Sequence, residues 1–492
     1  MRVGHGRADL PVPDGTPMGG YLDRPGPSAG LLDPLSVDAI TWFDGERRFA
    51  LATADIICVN EDLAHRVRSD ARSLGCELWL AASHTHSGPE TGCVPGGGPT
   101  PAPWLDRLTD AVGTAVRRAI EDEHRCDGEA RHGELHGVGA DRSRPSAPAV
   151  VPLTVIAVRH RPNEDGRLVG CDEAGNNERL ANRNGTGENE RPANRDEAGE
   201  DGRLAGVLVV LPVHPTVLPA ASRLVSADLV GAVRRALRAR LGPDVWALVA
   251  TGAAGDISTR HTRRSQDAAE LDRLAAIVAD RCLELLREPP ARAWSAGSGI
   301  AWAVRRLELA PARLGEGPGS VPVDPAGDRA ADPVEGPAVG PIESPARDWA
   351  GDPIEGPADD RAVDLAALAA DLRAAEASGD PVAVRLARSR LEGVRARPDR
   401  SGREDPIGVH VHAARLGELS VVGLPGEPFL AVAESIAPGG PVMVLGYVNG
   451  YPGYLPTAEA YERAEYEVLV SQVAPGSAEA LAEAARQLLE DM

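Results

Sequence analysis

Glu77-Leu78-Trp79-Leu80-Ala81-Ala82-Ser83-His84-Thr85-His86-Ser87-Gly88-Pro89 is the stretch on which the reading of this chain turns. Its first seven residues form a short, mostly apolar run, which predicts a buried strand. Gly88-Pro89 ends that strand and lets the backbone open a pocket. In an extended segment, residues two apart project the same way. His84 and His86 are therefore expected side by side, and neutral imidazole is the commonest metal ligand among side chains.

A second strand, AGVLVVLPVH at 205–214, ends in the same manner, on His214. Ends of strands in α/β proteins are where sites are built. LTVIAVRH at 153–160 is a strand of the same kind. Between these two lies a polar stretch with a near-repeat, EDGRLVG at 164–170 and EDGRLAG at 200–206. This points to a tandem duplication of residues 164–199 inside a hairpin loop, a segment too polar to offset its ordering entropy and expected to be disordered. A second biased stretch, 311–360, repeats DPVEGPA and DPIEGPA and is read as a Pro/Gly-rich acidic insertion without regular structure.

The remaining patterns alternate strand and helix. DAITWF and RRFALATADIICV flank Asp44-Gly45 as a hairpin. Helices are predicted over 61–74, 103–124, 362–377, 381–396 and 478–491, the third and fourth as an antiparallel hairpin. GVHVHAARLG and LSVVGLPGE read as strands, with His410 and His412 assigned to the sheet surface. The fold class is α/β: a mixed β-sheet core with flanking helices, one large catalytic domain over 1–492 carrying two low-complexity insertions.

Composition narrows the function. The 492 residues carry 73 acids against 52 basic residues, all of them Arg, a formal charge of −21. That charge argues against nucleic acid and anionic membrane surfaces as partners. Residues 311–360 hold 11 acids and 3 Arg, and residues 164–199 hold 9 acids and 5 Arg, so 12 of the 21 excess negative charges fall in the two insertions. A charge field that steers substrate is not implied. None of the six cysteines forms a CxxC pair, which argues against a cysteine zinc site. Cys58 and Cys282, in apolar runs, read as small buried hydrophobes. The N-terminus shows no signal-peptide core and no apolar run is long enough to span a membrane, so a cytoplasmic location is expected.

Other residues could carry chemistry. Glu427 follows an apolar strand in Leu424-Pro425-Gly426-Glu427 and serves equally well as a ligand or as a helix cap. Five of the six tyrosines fall between 446 and 467, namely Tyr447, Tyr451, Tyr454, Tyr461 and Tyr466. A phenol can ligate zinc or donate to a developing oxyanion. Ser258 sits on the glycine-rich turn after a strand at 246–251, without the elbow motif of a serine hydrolase.

Taken in order, these segments resemble the neutral/alkaline non-lysosomal ceramidase family over its N-terminal catalytic domain. The opening Val3-Gly4-His5-Gly6-Arg7-Ala8-Asp9, Met18-Gly19-Gly20-Tyr21, the HTHSGP motif, Pro425-Gly426-Glu427 and the Asn449-Tyr451-Tyr454 spacing carry the likeness. It spans nearly the whole chain outside the insertions, and the family's C-terminal immunoglobulin-like domain is expected to be absent. The resemblance implies one Zn2+ held by His84, His214, Glu427 and Tyr454. It implies His86 beside the metal, Arg142 against the amide or a substrate hydroxyl, Tyr466 supporting the oxyanion, and Ser258 as the family's proposed nucleophile. Two positions depart from the family: Ser258 is followed by Thr259 where the family has Pro, and Asp141 stands where it has Asn.

The expected activity is zinc-dependent hydrolysis of an amide in an N-acyl substrate, either ceramide-like or a smaller metabolite. Zinc-activated water or Ser258 attacks, with His86 as general base or substrate anchor. An esterase or lactonase would use the same site. A non-catalytic scaffold descended from the family would have no need of all four ligands.

Overall fold

The computed structural model describes residues 1–93, 98–144, 146–161, 202–295, 298–312, 358–396, 405–437, 442–463 and 465–492. The expected disordered insertion at 164–199 lies outside the described residues, as does 313–357 of the second one.

The hairpin around Asp44-Gly45 forms as expected. Strand β1 (Arg2–Asp9) pairs antiparallel with β2 (Ser36–Phe43), and β2 with β3 (Arg48–Ala54). Helix α1 (Glu61–Ser73) returns the chain to β4 (Glu77–Ala82), which runs parallel to β3 and is buried along its whole length. Helix α2 (Ala102–Glu121) lies on β1, and two glycines allow it. A Cβ on Gly4 or Gly6 would fall 2.0 or 2.1 Å from the carbonyl oxygens of Ala119 and Ala115. The helix stops short of the expected 124 because β5 (His124–His136) begins there and pairs with β1.

After β6 (Ala140–Asp141), strand β7 (Val150–His160) pairs antiparallel with β8 (Leu204–Leu211), the pairing expected of a hairpin. Helix α3 (Asp228–Leu241), strands β9 (Trp246–Thr251) and β10 (Ile257–Ser258), and helix α4 (Ala268–Leu285) follow. With β11 (Arg292–Trp294) added against β5, the first sheet has nine strands in the order β4-β3-β2-β1-β5-β7-β8-β9.

The second half builds a smaller sheet. Strand β12 (Ile300–Leu309) precedes the helical pair α5 (Ala358–Ser378) and α6 (Pro381–Arg395). Then come β13 (Ile407–Leu416), β14 (Leu419–Gly423), β15 (Glu427–Pro428), α7 (Leu430–Ile436), β16 (Val442–Leu445), β17 (Tyr454–Leu455), α8 (Tyr466–Val470) and α9 (Ser477–Glu490). The four-stranded order is β12-β13-β14-β16.

Side-chain alternation turns these elements into four layers. One face of the large sheet, with Trp42, Phe49, Trp79, Ile156, Leu208 and Leu248, packs against Ala414, Leu416, Val421 and Met443 of the small sheet. The opposite face of the large sheet is covered by α1 and α2 at one end and by α3 and α4 at the other. The outer face of the small sheet is covered by α7 and α9. The expected mixed-sheet core with flanking helices is what forms. No helix among the described residues is long and apolar enough to cross a membrane.

Three sequence expectations need correction. His412 is 1% exposed and not on a sheet surface; it packs on Trp79 and lies 3.4 Å from the Asn449 amide, because β13 is covered on both faces. Cys58 is buried but bonded to Cys93, 35 residues away, because the loop after Pro89 folds back over residues 57–60; Cys282 is free and buried, as expected. The second insertion is shorter than 311–360: Pro311 bridges Val473, and α5 already begins at Ala358.

Candidate metal centre

Three chain reversals deliver the site. The first follows β4. His84 takes a left-handed backbone, φ 63°, and its neighbours leave the strand conformation. The two histidines of the HTH motif do meet, with Nε2 atoms 3.3 Å apart, but through this kink and not through strand alternation. The second follows β8, where the His214 N–H donates to the Ile257 carbonyl at 2.9 Å. The third follows β14. Gly426 adopts φ 61°, with the Gly453 carbonyl oxygen 2.4 Å from where a Cβ would sit, and Glu427 then pairs with Tyr454 in the short β15–β17 ladder.

The ring nitrogens of His84, His86 and His214 all lie within 4.8 Å of one another. His84 Nε2 and His214 Nε2 are 2.8 Å apart, and Glu427 Oε2 lies 3.2 Å from the first and 3.4 Å from the second. His84, His214 and Glu427 are at most 1% exposed, His86 9%.

Protons can be assigned from the far side of each ring. His84 Nδ1 lies 2.6 Å from the Ile57 carbonyl, and His214 Nδ1 lies 2.9 Å from the Ala254 carbonyl. A carbonyl only accepts, so both Nδ1 atoms carry a hydrogen, and in the neutral rings both Nε2 atoms are left with a lone pair for the cluster. Glu427 Oε2 is a third lone-pair donor, buried beside the two Nε2 atoms. Three such atoms converging in a low-dielectric interior repel unless a cation joins them. The residues present therefore fit a divalent metal.

Burial, then the neighbouring His84 and Arg142, hold His214 and His86 well below the ordinary histidine range, so both rings are neutral. Burial alone pushes Glu427 up, but His84 and the Tyr451 hydroxyl outweigh it and leave the carboxyl below its ordinary range. Tyr451 donates to Glu427 Oε1 at 2.7 Å, leaving Oε2 for the cluster.

The other expected residues stand around this core. Tyr454 lies parallel to the His214 ring at 6.4 Å, as Glu427's neighbour and outside the tightest group. Arg142 is buried, paired with Glu467, and its guanidinium lies 5.2 Å from the Tyr454 ring centroid and 6.0 Å from that of Tyr466. Burial raises the Tyr466 phenol to about 12. Ser258 is bridged to His214 through the backbone, and its Oγ accepts the Arg260 N–H at 3.2 Å. Among the described residues, that Oγ has no hydrogen bond to any of the three histidines.

Sequence reasoning missed several parts. Tyr447 was flagged only as a member of a tyrosine cluster, and Tyr451 only there and in the Asn449-Tyr451-Tyr454 spacing. The carbonyls of Ile57 and Ala254 leave no mark in a sequence, and Glu467 looks like any surface acid. The Met18-Gly19-Gly20-Tyr21 motif acquires a purpose. Gly20, φ 93°, sits where a Cβ would fall 2.5 Å from the His86 ring, and Tyr21 meets that ring edge-on at 4.9 Å.

No protein-family model matches the chain, and no curated protein matches it in sequence. Solved structures do match. The neutral ceramidase from Pseudomonas aeruginosa superposes with a TM-score of 0.63 at 15% identity, over 99% of this chain and 73% of that one. A ceramidase complexed with C2 gives 0.66 at 15% identity, over 100% and 75%. At that identity the likeness is one of architecture, and it covers all four layers: this chain has the fold of the neutral ceramidases.

Proposed function

We propose that the protein is a zinc-dependent hydrolase that cleaves an amide bond of an N-acyl substrate. The observation that carries this reading is the convergence of three potential ligand atoms, His84 Nε2, His214 Nε2 and Glu427 Oε2, in one buried cluster. Two histidines and a carboxylate are a donor set that suits catalytic zinc and leaves a position open. In this reading Tyr454 is the further ligand, at the rim. Bound there, zinc supplies Lewis acidity, polarising a carbonyl and acidifying water.

The chain's own residues complete the chemistry. His86 is neutral and can take a proton from the attacking group and return it to the leaving amine. Arg142, fixed by Glu467 and by the Gly255 carbonyl at 2.7 Å, places positive charge beside Tyr454 and Tyr466. With the Tyr466 O–H it supports a developing oxyanion. Among the described residues Ser258 Oγ makes no hydrogen bond to any of the three histidines, which favours water over the serine as the nucleophile. The neutral ceramidase fold supports an amide as the bond that is cut.

The test is metal analysis joined to a panel of N-acyl amides and matched esters, with and without a chelator. About one zinc per chain, and amide hydrolysis that the chelator abolishes and zinc restores, is the expected result. Metal-free protein with His84→Ala indistinguishable from the parent in stability and activity overturns it. Ester turnover without amide turnover moves the reaction to an esterase on the same site.

A further inference from the structure

Tyr21, whose ring abuts His86, lies in the electrostatic field of Arg263, Arg24 and Arg260. Arg24 donates to the backbone carbonyls of His86 and Ser222, and its guanidinium lies 5.1 Å from the Tyr21 ring that abuts His86. Arg263 donates to the Thr216 carbonyl at 2.6 Å, two residues beyond His214. Arg260, two residues beyond Ser258, reaches the Ser389 hydroxyl of α6 at 3.3 Å. Arg385 lies one turn earlier on α6, within electrostatic range of Arg263 and His261.

The surroundings do not neutralise these charges. Among the described residues, Arg24, Arg260, Arg263 and Arg385 have no carboxylate within ion-pair distance. The nearby acids are engaged elsewhere: Glu467 by Arg142, Glu270 by Arg273 at 2.6 Å, and Asp228 by three backbone N–H groups. Asp23 is exposed, and Glu392 is pushed up by burial and by Asp23. The Nε atoms of Arg24 and Arg385 are buried without a hydrogen-bond partner. All four side chains are partly withdrawn from water, and desolvation weakens the hold of Arg24, Arg260 and Arg263 on their protons.

Unpaired, half-buried guanidinium groups are costly. A chain with 73 acids and 52 arginines has carboxylates in excess, yet leaves these four without one. Guanidinium forks match carboxylate and phosphate oxygens.

We infer that the substrate carries an anionic group, carboxylate or phosphate, seated by Arg260 and Arg263 while its N-acyl bond lies at the histidine cluster. This rests on the hydrolase reading and sharpens it: a neutral lipid amide offers these arginines no charge to pair with. Arg24 and Arg385 flank the seat and add to its field.

Binding separates this inference from the reaction itself. Chelator-treated protein is titrated calorimetrically with three compounds of one acyl chain: an N-acylglycine, an N-acylethanolamine phosphate and the neutral N-acylethanolamine. At least one anionic compound binds about tenfold or more tighter than the neutral one, and the stronger of the two names the group. Arg260→Gln and Arg263→Gln reduce that preference to near unity, and Arg260→Lys restores part of it. Thermal unfolding confirms that each variant is folded. Equal affinity for all three compounds, or a preference that survives both Gln variants, overturns the inference. Zinc-loaded turnover of the same compounds is scored separately: its failure removes the hydrolase reading and leaves the anion preference standing on the binding data.

Discussion

The imidazole of His84 stacks on the phenol ring of Tyr447, centroids 4.2 Å apart and planes 29° from parallel, and both residues hold left-handed backbone, φ 63° and 61°. Neither is a glycine, so each position costs on the order of 1–3 kcal/mol that the surrounding structure has to offset. Part of that offset is visible. Residues 446–449 lie along the free edge of β4: the Ala82 N–H donates to the Tyr447 carbonyl at 3.2 Å, and the Leu80 N–H to Asn449 Oδ1 at 2.9 Å. The kink that aims His84 into the cluster and the kink that brings Tyr447 over it therefore support each other.

Tyr447 is fully buried, and among the described residues its hydroxyl has no hydrogen-bond partner. Tyr447→Phe keeps the stack and is expected to change stability by no more than about 1 kcal/mol. Tyr447→Ala leaves a cavity under His84 and is expected to cost about 3–5 kcal/mol and to weaken metal binding. Chemical denaturation and a competitive chelator assay read the two effects. A Phe variant that folds normally but no longer holds metal would make the hydroxyl a ligand and the stacking account wrong.

Tyr451 fixes which oxygen Glu427 turns to the histidines. Tyr451→Phe leaves Oε1 without its donor and frees the carboxylate to rotate. Loss of such a supporting bond is expected to lower metal affinity by roughly 10–100-fold with little change in fold. Zinc titration against a competing chelator measures it; unchanged affinity would show that the ladder between Glu427 and Tyr454 alone orients the ligand.

Asp228 supplies a pH dependence away from the cluster. Burial pushes its carboxyl up to about 7, against three backbone N–H donors that pull the other way. A carboxyl raised in the folded state binds its proton more tightly there than in the unfolded chain. The stability this gives is complete below the ordinary pKa of 3.8 and is lost as pH rises through about 7. The expected loss between pH 4 and pH 8 is of order 4 kcal/mol at most. Asp228→Asn should flatten this part of the profile in thermal melts from pH 5 to pH 8. A parent profile that rises with pH across that range would show the carboxylate to be ionised throughout.

The Cys58–Cys93 disulfide closes a loop with a sequence separation of 35. A loop of that length is expected to gain about 3–4 kcal/mol from constraint of the unfolded chain. It also packs beside Ile57, whose carbonyl orients His84, and beside Tyr451. Reductant, or Cys93→Ser, should therefore lower both the melting temperature and the metal affinity. Insensitivity of both would show that the thiols are free in solution.

Much of the fold was legible because hydrophobic period and strand ends are local properties. The β2–β3 hairpin, the buried β4, the β7–β8 pair and the helical pair α5–α6 all follow from patterns a few residues long. What failed was non-local. His410 and His412 looked alike, since alternation cannot say that a second layer covers the face carrying His412. Cys58 looked like a lone hydrophobe because its partner arrives on a loop from elsewhere.

For the site, the sequence by itself determined which residue types end which strands: His84, His214 and Glu427 each follow an apolar run, and the tyrosines crowd into one segment. The tertiary structure decided how these atoms face one another. It took the positive φ at His84 and Gly426, the carbonyls of Ile57 and Ala254, and the pairing of Glu427 with Tyr454 to turn separate strand ends into three lone pairs aimed at one point. It also brought arginines from the N-terminal loop and the Ser258 turn around Tyr21, beside His86. Summed charge could not reveal this, because an acidic chain can still hold a local basic seat where folding keeps its carboxylates away.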